Sequence, residues 1–392
     1  MIEQLKNDFA RCFHESASHV FFAPGRVNLI GEYTDYNGGH VFPCALDIGT
    51  YAIVRARDDK QLNLFSLNFA EQGTHHLHIN TIVHDKANGW ANYPAGMLHT
   101  LQSAGALMTH GLDVLFYGNI PNGAGLSSSA SIEMLTAVLA QYIYQLPFTQ
   151  LDLVKLAQRS ENEFNGLNCG IMDMFASGMG RSGHAMLLNT HTLAHQHVPV
   201  DFRNTYRFLI ANTNKRRDLS ESNYNQRRAE CEVALHDLQK EVDIATLCDL
   251  TPELFAQYQH AIQNPAHLKR ARHAVTENAR TLQAVNALQN HDLVQFGRLM
   301  NASHVSLRDD FEVTGQHLDA LVEAAWVHDA VGARMTGAGF GGCTVMLVKD
   351  AVLCEFCDQV AAQYIEQTGL TPSFYPVNMA AGARLLAMEE VV

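Results

Sequence analysis

The sequence predicts an α+β protein of two domains, and three observations carry that reading. The 392 residues exceed the roughly 250–300 over which one hydrophobic core keeps growing. The first half mixes β-prone runs with apolar helical patterns around a glycine-rich turn, whereas residues 218–310 read almost entirely as helix. The chain then closes on a second glycine-rich turn that feeds an apolar strand. A hydrophobic content of 47% against 17% charged residues supplies ample core and carries no compositional sign of disorder.

In chain order, Ile2–Phe13 has helical periodicity and HVFFA, from His19, is β-prone. The stretch after it, rich in glycine and polar groups, reads as a loop leading to a strand near residues 49–56. Residues 91–110 look helical. LDVLFYGNI reads as a strand, PNGAGLSSSAS as a turn, and residues 129–144 as an apolar helix, an order suited to a phosphate site. A second helix, about 149–164, meets the loop GLNCGIMDMF, and strands near 185–188 and 206–211 close the first half. The second half has helices in NYNQRRAECEVALHDLQKEV and TENARTLQAVNALQNHDLVQFGRLMN. GARMTGAGFGGCTVMLV follows as turn and strand, then a helix and a last strand near 373–378. No repeat or low-complexity linker marks the join. It is set near residue 200, giving domains 1–200 and 201–392, with the last strand free to pack back on the first.

Forty acidic residues against 27 basic ones leave a net charge of −13, which disfavours nucleic acid or an anionic membrane as partner. An anionic substrate must therefore meet local positive groups. The N-terminus MIEQLKNDFARCFHESASH lacks the basic-then-apolar layout of a secretory signal, and no apolar run reaches 18 residues. A soluble cytoplasmic protein is expected, and the eight scattered cysteines suit a reducing compartment. Cys354 and Cys357 form a lone CxxC in a helix-like run, with no second pair to complete a metal site. His75, His76 and His78 fall along a polar strand and read as a solvated face.

PNGAGLSSSAS, residues 121–131, has the parts a phosphate cradle needs. Gly123 and Gly125 let backbone N–H groups approach where a Cβ would collide, and Ser127, Ser128 and Ser129 offer hydroxyls and an N-cap. The helix that follows would point its positive end at the anion. No lysine is present, so this is not a Walker loop. In APGRVNLIGEYTDYNGG, residues 23–39, the carboxylates Glu32 and Asp35 fit the adjacent hydroxyls of a polyol, or else a structural turn with solvated acids. Asp173 stands in the apolar run IMDMF, where a carboxylate is partly desolvated and calls for a basic partner. Leu153, Leu156, Ala157, Ser160 and Glu161 share one helical face, which puts an acid at a core position. Such an acid is paired with an arginine or holds a metal ion such as Mg2+.

APGRVNLIGEYTDYNGG closely resembles the signature of galactokinases, members of the GHMP kinase family, and PNGAGLSSSAS resembles that family's phosphate loop. ENEFNGLNCGIMDMF, KRRDLSESNYNQRRAEC, SHVSLRDDFEVT and RMTGAGFGGCTV continue the likeness in family order along nearly the whole chain. The resemblance implies the two-domain GHMP kinase fold, with an N-terminal domain like ribosomal-protein S5 domain 2, a C-terminal ferredoxin-like domain and the active site between them. The galactose-binding signature would span about 15–60. The implied activity is transfer of the γ-phosphoryl group of ATP to the C1 hydroxyl of α-D-galactose, the first phosphorylation of the Leloir pathway, with Mg2+ as cofactor. A related sugar-1-kinase acting on N-acetylgalactosamine or arabinose, or a silent galactose and ATP sensor, are the alternatives.

By the same resemblance Asp173 and Arg26 are the catalytic pair. Glu32, Tyr33, Thr34, Asp35, Gly170, Asp173 and Tyr224 meet the sugar. Gly123, Ala124, Gly125, Leu126, Ser127, Ser128 and Ser129 meet ATP, and Ser129 and Glu161 hold the metal. The partners expected are galactose and ATP alone, on a monomer. Two positions depart from the family pattern: Tyr33 stands where histidine is usual, and Met174 where glutamine is usual. Tyr33 bears on sugar recognition rather than on reaction type.

Overall fold

The structure, a computed structural model, describes residues 1–121, 125–202, 205–215 and 220–386. The first part of the chain runs α1 (Ile2–Phe13), β1 (His19–Asn28), β2 (His40–Val41), β3 (Pro43–Ala56), β4 (Gln61–Ser66) and β5 (His75–His78). It continues through α2 (Asn92–Ser103), β6 (Leu112–Gly118), α3 (Ser128–Ile143), α4 (Gln150–Arg159), α5 (Met172–Met179), β7 (His184–Asn189) and β8 (His195–Pro199). The rest is β9 (Tyr206–Asn212), α6 (Ser220–Leu238), α7 (Pro252–Tyr258), α8 (Pro265–Gln289), α9 (Leu293–Ser306), α10 (Gln316–Val327), β10 (Gly332–Thr336), β11 (Cys343–Lys349), α11 (Leu353–Thr368), β12 (Ser373–Val377) and β13 (Arg384–Leu385).

Six strands form the first sheet in the order β13-β1-β3-β6-β4-β5. Successive side chains of β1 alternate between its faces. Val20 and Phe22 pack with Ile2, Leu5 and Phe9 of α1, and Phe21 and Ala23 pack with Met134, Leu135 and Phe175 of α3 and α5. Both faces are therefore covered, which is why β1 reads as one apolar run. The strand is longer than the sequence suggests. Pro24 and Gly25, which read as the start of a loop, are absorbed where the pairing with β3 shifts register, and β1 continues to Asn28. Gly25 is needed there, because a Cβ would stand 2.8 Å from the Leu126 carbonyl oxygen.

The second sheet runs β10-β11-β9-β12, antiparallel throughout. With β9 counted first, this is the 4-1-3-2 order of a ferredoxin-like sheet, with α6 to α9 inserted between its first strand and α10. α10 and α11 cover one face through Leu321, Phe356, Val360 and Tyr364. On the other face, Phe208, Ile210, Val345 and Leu347 join Ala284, Phe296 and Met300 together with Val27, Leu29 and Phe42 from the first half. A cut at residue 200 thus passes through a shared core rather than an empty hinge. The last strand expected, near 373–378, lies on β9 in this sheet. The segment beyond it returns to the first sheet, where β13 pairs with Phe21 and Phe22.

The helix expected over 149–164 divides. Thr149 caps its start in a capping box with Asp152, and regular α-helix ends at Arg159. Ser160–Phe164 then widens into a π turn, a local feature often found at functional sites. His76 and His78 are exposed on β5, but His75 is turned inward, its ring 5.5 Å from Trp90. Cys354 and Cys357 lie on α11. Among the described residues no helix is long and apolar enough to cross a membrane.

Candidate active site

The bulge in β1 is what aims Arg26. Its backbone N–H bonds the Leu126 carbonyl at 3.1 Å, and its guanidinium reaches both ways. Nε and Nη2 donate to the two carboxylate oxygens of Asp173 at 2.7 and 2.8 Å, while Nη1 donates to the Gly125 carbonyl at 2.8 Å. Ser127 adds its hydroxyl to Asp173 Oδ2. The arginine side chain is 6% exposed and that of Asp173 27%. Burial works against the guanidinium charge, yet Asp173, Glu32 and Asp35 more than offset it and raise the pKa of Arg26.

These groups line a cavity of about 250 Å³ with Glu32, Tyr33, Asp35, Gly170, Tyr224, Gly337 and Ala338, closed by Leu167, Cys169 and Met172. Burial, with the charges of Asp173 and Glu32, pushes the Asp35 carboxyl from its ordinary 3.8 up to about 7. Gly170 packs so closely that a Cβ would stand 1.9 Å from Asp35 Oδ2. Glu32 Oε1 accepts from Thr336 Oγ1 at 3.0 Å and from Gly337 N–H at 2.9 Å, with Arg334 Nη2 3.3 Å away. One oxygen thus anchors the second glycine-rich turn. The Tyr33 and Tyr224 rings pack at a tilt of 37°, 5.6 Å between ring centres. Thr34, expected at the sugar, is turned into its own loop: it is fully buried, and its hydroxyl is within bonding distance of the Gly31 and His40 carbonyls. Met174 faces the core rather than the cavity.

Of the expected phosphate contacts, Gly123 and Ala124 lie outside the described residues. Leu126 is buried in the core, and Ser127 stands at the N-cap of α3 in the left-handed region without capping it, because its hydroxyl is committed to Asp173. Ser128 and Ser129 open α3 beside a second cavity, about 190 Å³, lined by Asn68, Phe69, Trp90, Tyr93, Phe116 and Ile132. Phe69 and Trp90 lie nearly parallel there, 6.4 Å apart at 12°. Such aromatic walls beside a helix N-terminus suit a planar base joined to phosphates. Sequence reasoning missed this cavity altogether.

Glu161 is buried as its helical face requires, and it meets a second acid, Glu133, which lies one turn beyond Ser129 on α3. Glu133 Oε1 accepts from Ser160 Oγ at 2.9 Å and Asn165 Nδ2 at 3.0 Å. Burial and the neighbouring Glu161 carboxyl hold its pKa well above the ordinary value. Among the described residues no cluster of three or more His, Cys, Asp and Glu could hold a metal ion. Ser129, one turn before Glu133 on α3, and the paired carboxylates of Glu133 and Glu161 are nevertheless the hard-oxygen donor types that suit Mg2+, which keeps several waters and takes phosphate oxygens instead of a full protein cage.

Residues 7–56 match the galactokinase galactose-binding signature, 92–181 the GHMP kinases N terminal domain and 284–365 the GHMP kinases C terminal model. The galactokinase of Clostridium beijerinckii is 52% identical over 98% of both chains. The chain belongs to the galactokinase family. The Bacillus subtilis galactokinase is 50% identical over 99% of this chain and 100% of its own. Lactococcus lactis galactokinase, solved in complex with galactose, is 43% identical and superposes with a TM-score of 0.96 over 98% of this chain and 100% of that one. Methanococcus jannaschii mevalonate kinase, 18% identical over 92% of this chain and 98% of its own, shares the fold with a TM-score of 0.67. Within this galactokinase-family chain, Trp90 in the wall of the second cavity, Glu133 beside Glu161 and Arg334 beside Glu32 are the candidate residues that sequence reasoning passed over. Ser129 and Glu133, four apart on one helix, were the available signal for the first of them.

Proposed function

We propose that this chain is an ATP-dependent galactokinase that transfers the γ-phosphoryl group to the C1 hydroxyl of α-D-galactose, giving α-D-galactose 1-phosphate and ADP. The observation that carries the reading is the Arg26–Asp173 fork. It lines the first cavity, and it is bonded through Gly125 and Ser127 to the loop whose next serines open on the second. A sugar in the first cavity and a nucleotide in the second would meet at that fork.

In this reading Asp173, the carboxylate of that fork, takes or orients the C1 hydroxyl proton. Arg26 holds the carboxylate in place and faces the charge spread over the transferred phosphoryl oxygens. Glu32, Asp35, the Gly170 backbone, Tyr33 and Tyr224 shape the sugar site, while Gly125 and the serines that begin α3 receive the phosphates. Ser129 and Glu161, with Glu133 beside them, would hold Mg2+, which when bound neutralises phosphate charge. Alignment does much of the catalysis, since phosphoryl transfer asks the protein mainly for positioning and charge stabilisation. The reaction is the first phosphorylation of galactose catabolism, and the enzyme is read as cytoplasmic and monomeric.

Incubating the purified chain with Mg-ATP and, separately, galactose, N-acetylgalactosamine, arabinose and mevalonate tests the reading. ADP release with galactose well above that with the other three is expected. Equal release with and without galactose would overturn it.

A further inference from the structure

We infer that Tyr33 is a positioning residue for the nucleotide side of the site, acting through the glycine-rich turn 337–342, rather than chiefly a contact for the sugar whose cavity it lines. The inference rests on the galactokinase reading above.

The turn has little structure of its own. Gly337, Gly339, Phe340, Gly341 and Gly342 all have positive φ, so its shape is set by groups outside it. Gly337 N–H bonds Glu32 Oε1 at 2.9 Å, Phe340 N–H bonds the Val313 carbonyl at 2.8 Å, and Gly342 O accepts from Thr213 N–H at 2.9 Å. Between the first two of these, the Tyr33 hydroxyl donates to the Ala338 carbonyl at 2.5 Å. Neighbouring residues of the sugar loop, Glu32 and Tyr33, therefore grip neighbouring residues of the turn.

Tyr33 is held ready for this. It is 4% exposed, it has a φ of 66°, unusual for a bulky residue, and its ring centre lies 4.5 Å from that of Phe311. A side chain so fixed spends little conformational freedom on its bond. On the far side the turn leans directly on the phosphate loop, where a Cβ added to Gly337 would stand 3.0 Å from the Gly125 carbonyl oxygen. That oxygen is the one that accepts Arg26 Nη1. Loosening Ala338 consequently disturbs Gly125 and what it presents to a phosphate, while Asp35 and Gly170 on the sugar side keep their packing.

Tyr33→Phe removes only the hydroxyl and keeps the ring among Phe311, Tyr36 and Tyr224. The expected result is a rise in the KM for Mg-ATP of about three- to tenfold, the worth of one intramolecular hydrogen bond. The galactose Kd, measured by calorimetry without nucleotide, should stay within about twofold. Gly337→Ala, which crowds the same turn against Gly125, should shift the same constant in the same direction with Tyr33 intact. Thermal melting checks that both variants fold. A weaker galactose Kd in Tyr33→Phe with an unchanged KM for Mg-ATP would make Tyr33 a sugar ligand and overturn the inference, as would no change in either constant. A parent chain without galactose-dependent ADP release would instead refute the galactokinase reading itself.

Discussion

Replacing Asp173 by Asn separates the proton-handling role proposed for this residue from its place in the ion pair. The amide has the same shape, but only its oxygen accepts, while Asp173 now receives two N–H groups of Arg26 and the hydroxyl of Ser127. The new NH2 group would face donors. At least one charge-assisted bond is lost, worth about 1.5–3 kcal/mol. Because the Asp173 side chain is 27% exposed, the cost to folding should be about 1–3 kcal/mol, below that of breaking a fully buried pair. Losing the acceptor for the C1 hydroxyl proton adds a kinetic loss of about 10²–10⁴. We expect kcat, followed by ADP release, to fall about 10³-fold, in the middle of that range. The galactose Kd from calorimetry should change by less than about threefold, since Asp35 and Gly170 also line the proposed sugar cavity. A variant that keeps kcat within tenfold of the parent would refute the role given to Asp173.

Three further perturbations address other parts of the site. Gly170→Ala puts a methyl 1.9 Å from Asp35 Oδ2, so galactose KM should rise at least about tenfold with Mg-ATP KM little changed; an unchanged galactose KM would show that Asp35 moves aside at no cost. Trp90→Ala removes one wall of the second cavity, and a stacked base is worth about 1–3 kcal/mol, so Mg-ATP KM should rise about tenfold while calorimetry finds galactose binding unaltered; a selective loss of galactose binding would contradict the assignment. The Asp35 carboxyl, raised from 3.8 to about 7 by burial and by Asp173 and Glu32, favours the folded state fully below about pH 4, and that contribution is lost as pH rises through 7. Urea midpoints of the sugar-free chain should therefore drop less between pH 5 and pH 8 in Asp35→Asn than in the parent. Glu133 is shifted in the same direction, so the difference between the two chains is the readout, and equal drops would refute it.

Local pattern carried much of the fold into view. The helical face of residues 153–161 placed Glu161 in the core, where it lies, because periodicity needs only near neighbours. The strand bearing Arg26 was hidden by Pro24 and Gly25, whose usual meaning as breakers is overridden by the bulge and by backbone bonding to Leu126. Ser127 looked like a helix cap because only Asp173, 46 residues away, diverts its hydroxyl. The second cavity was illegible for a related reason. Its walls come from β-strands, the 3-10 turns at Phe69 and Trp90, and the starts of α2 and α3, and nothing local marks them as neighbours. Arg334 sits in an apolar strand with no adjacent acid in sequence, and its link to Glu32 spans 302 positions between residues 32 and 334. Thr34 shows the opposite limit, a motif residue whose hydroxyl the loop itself consumes.

The identity of the phosphorylated product tests the central claim most directly. With stoichiometric Mg-ATP and galactose, phosphorus and proton NMR should show one ADP per α-D-galactose 1-phosphate, with phosphorus coupled to the anomeric proton. Phosphate on another galactose oxygen, or ADP formed with free phosphate and unchanged sugar, would contradict it.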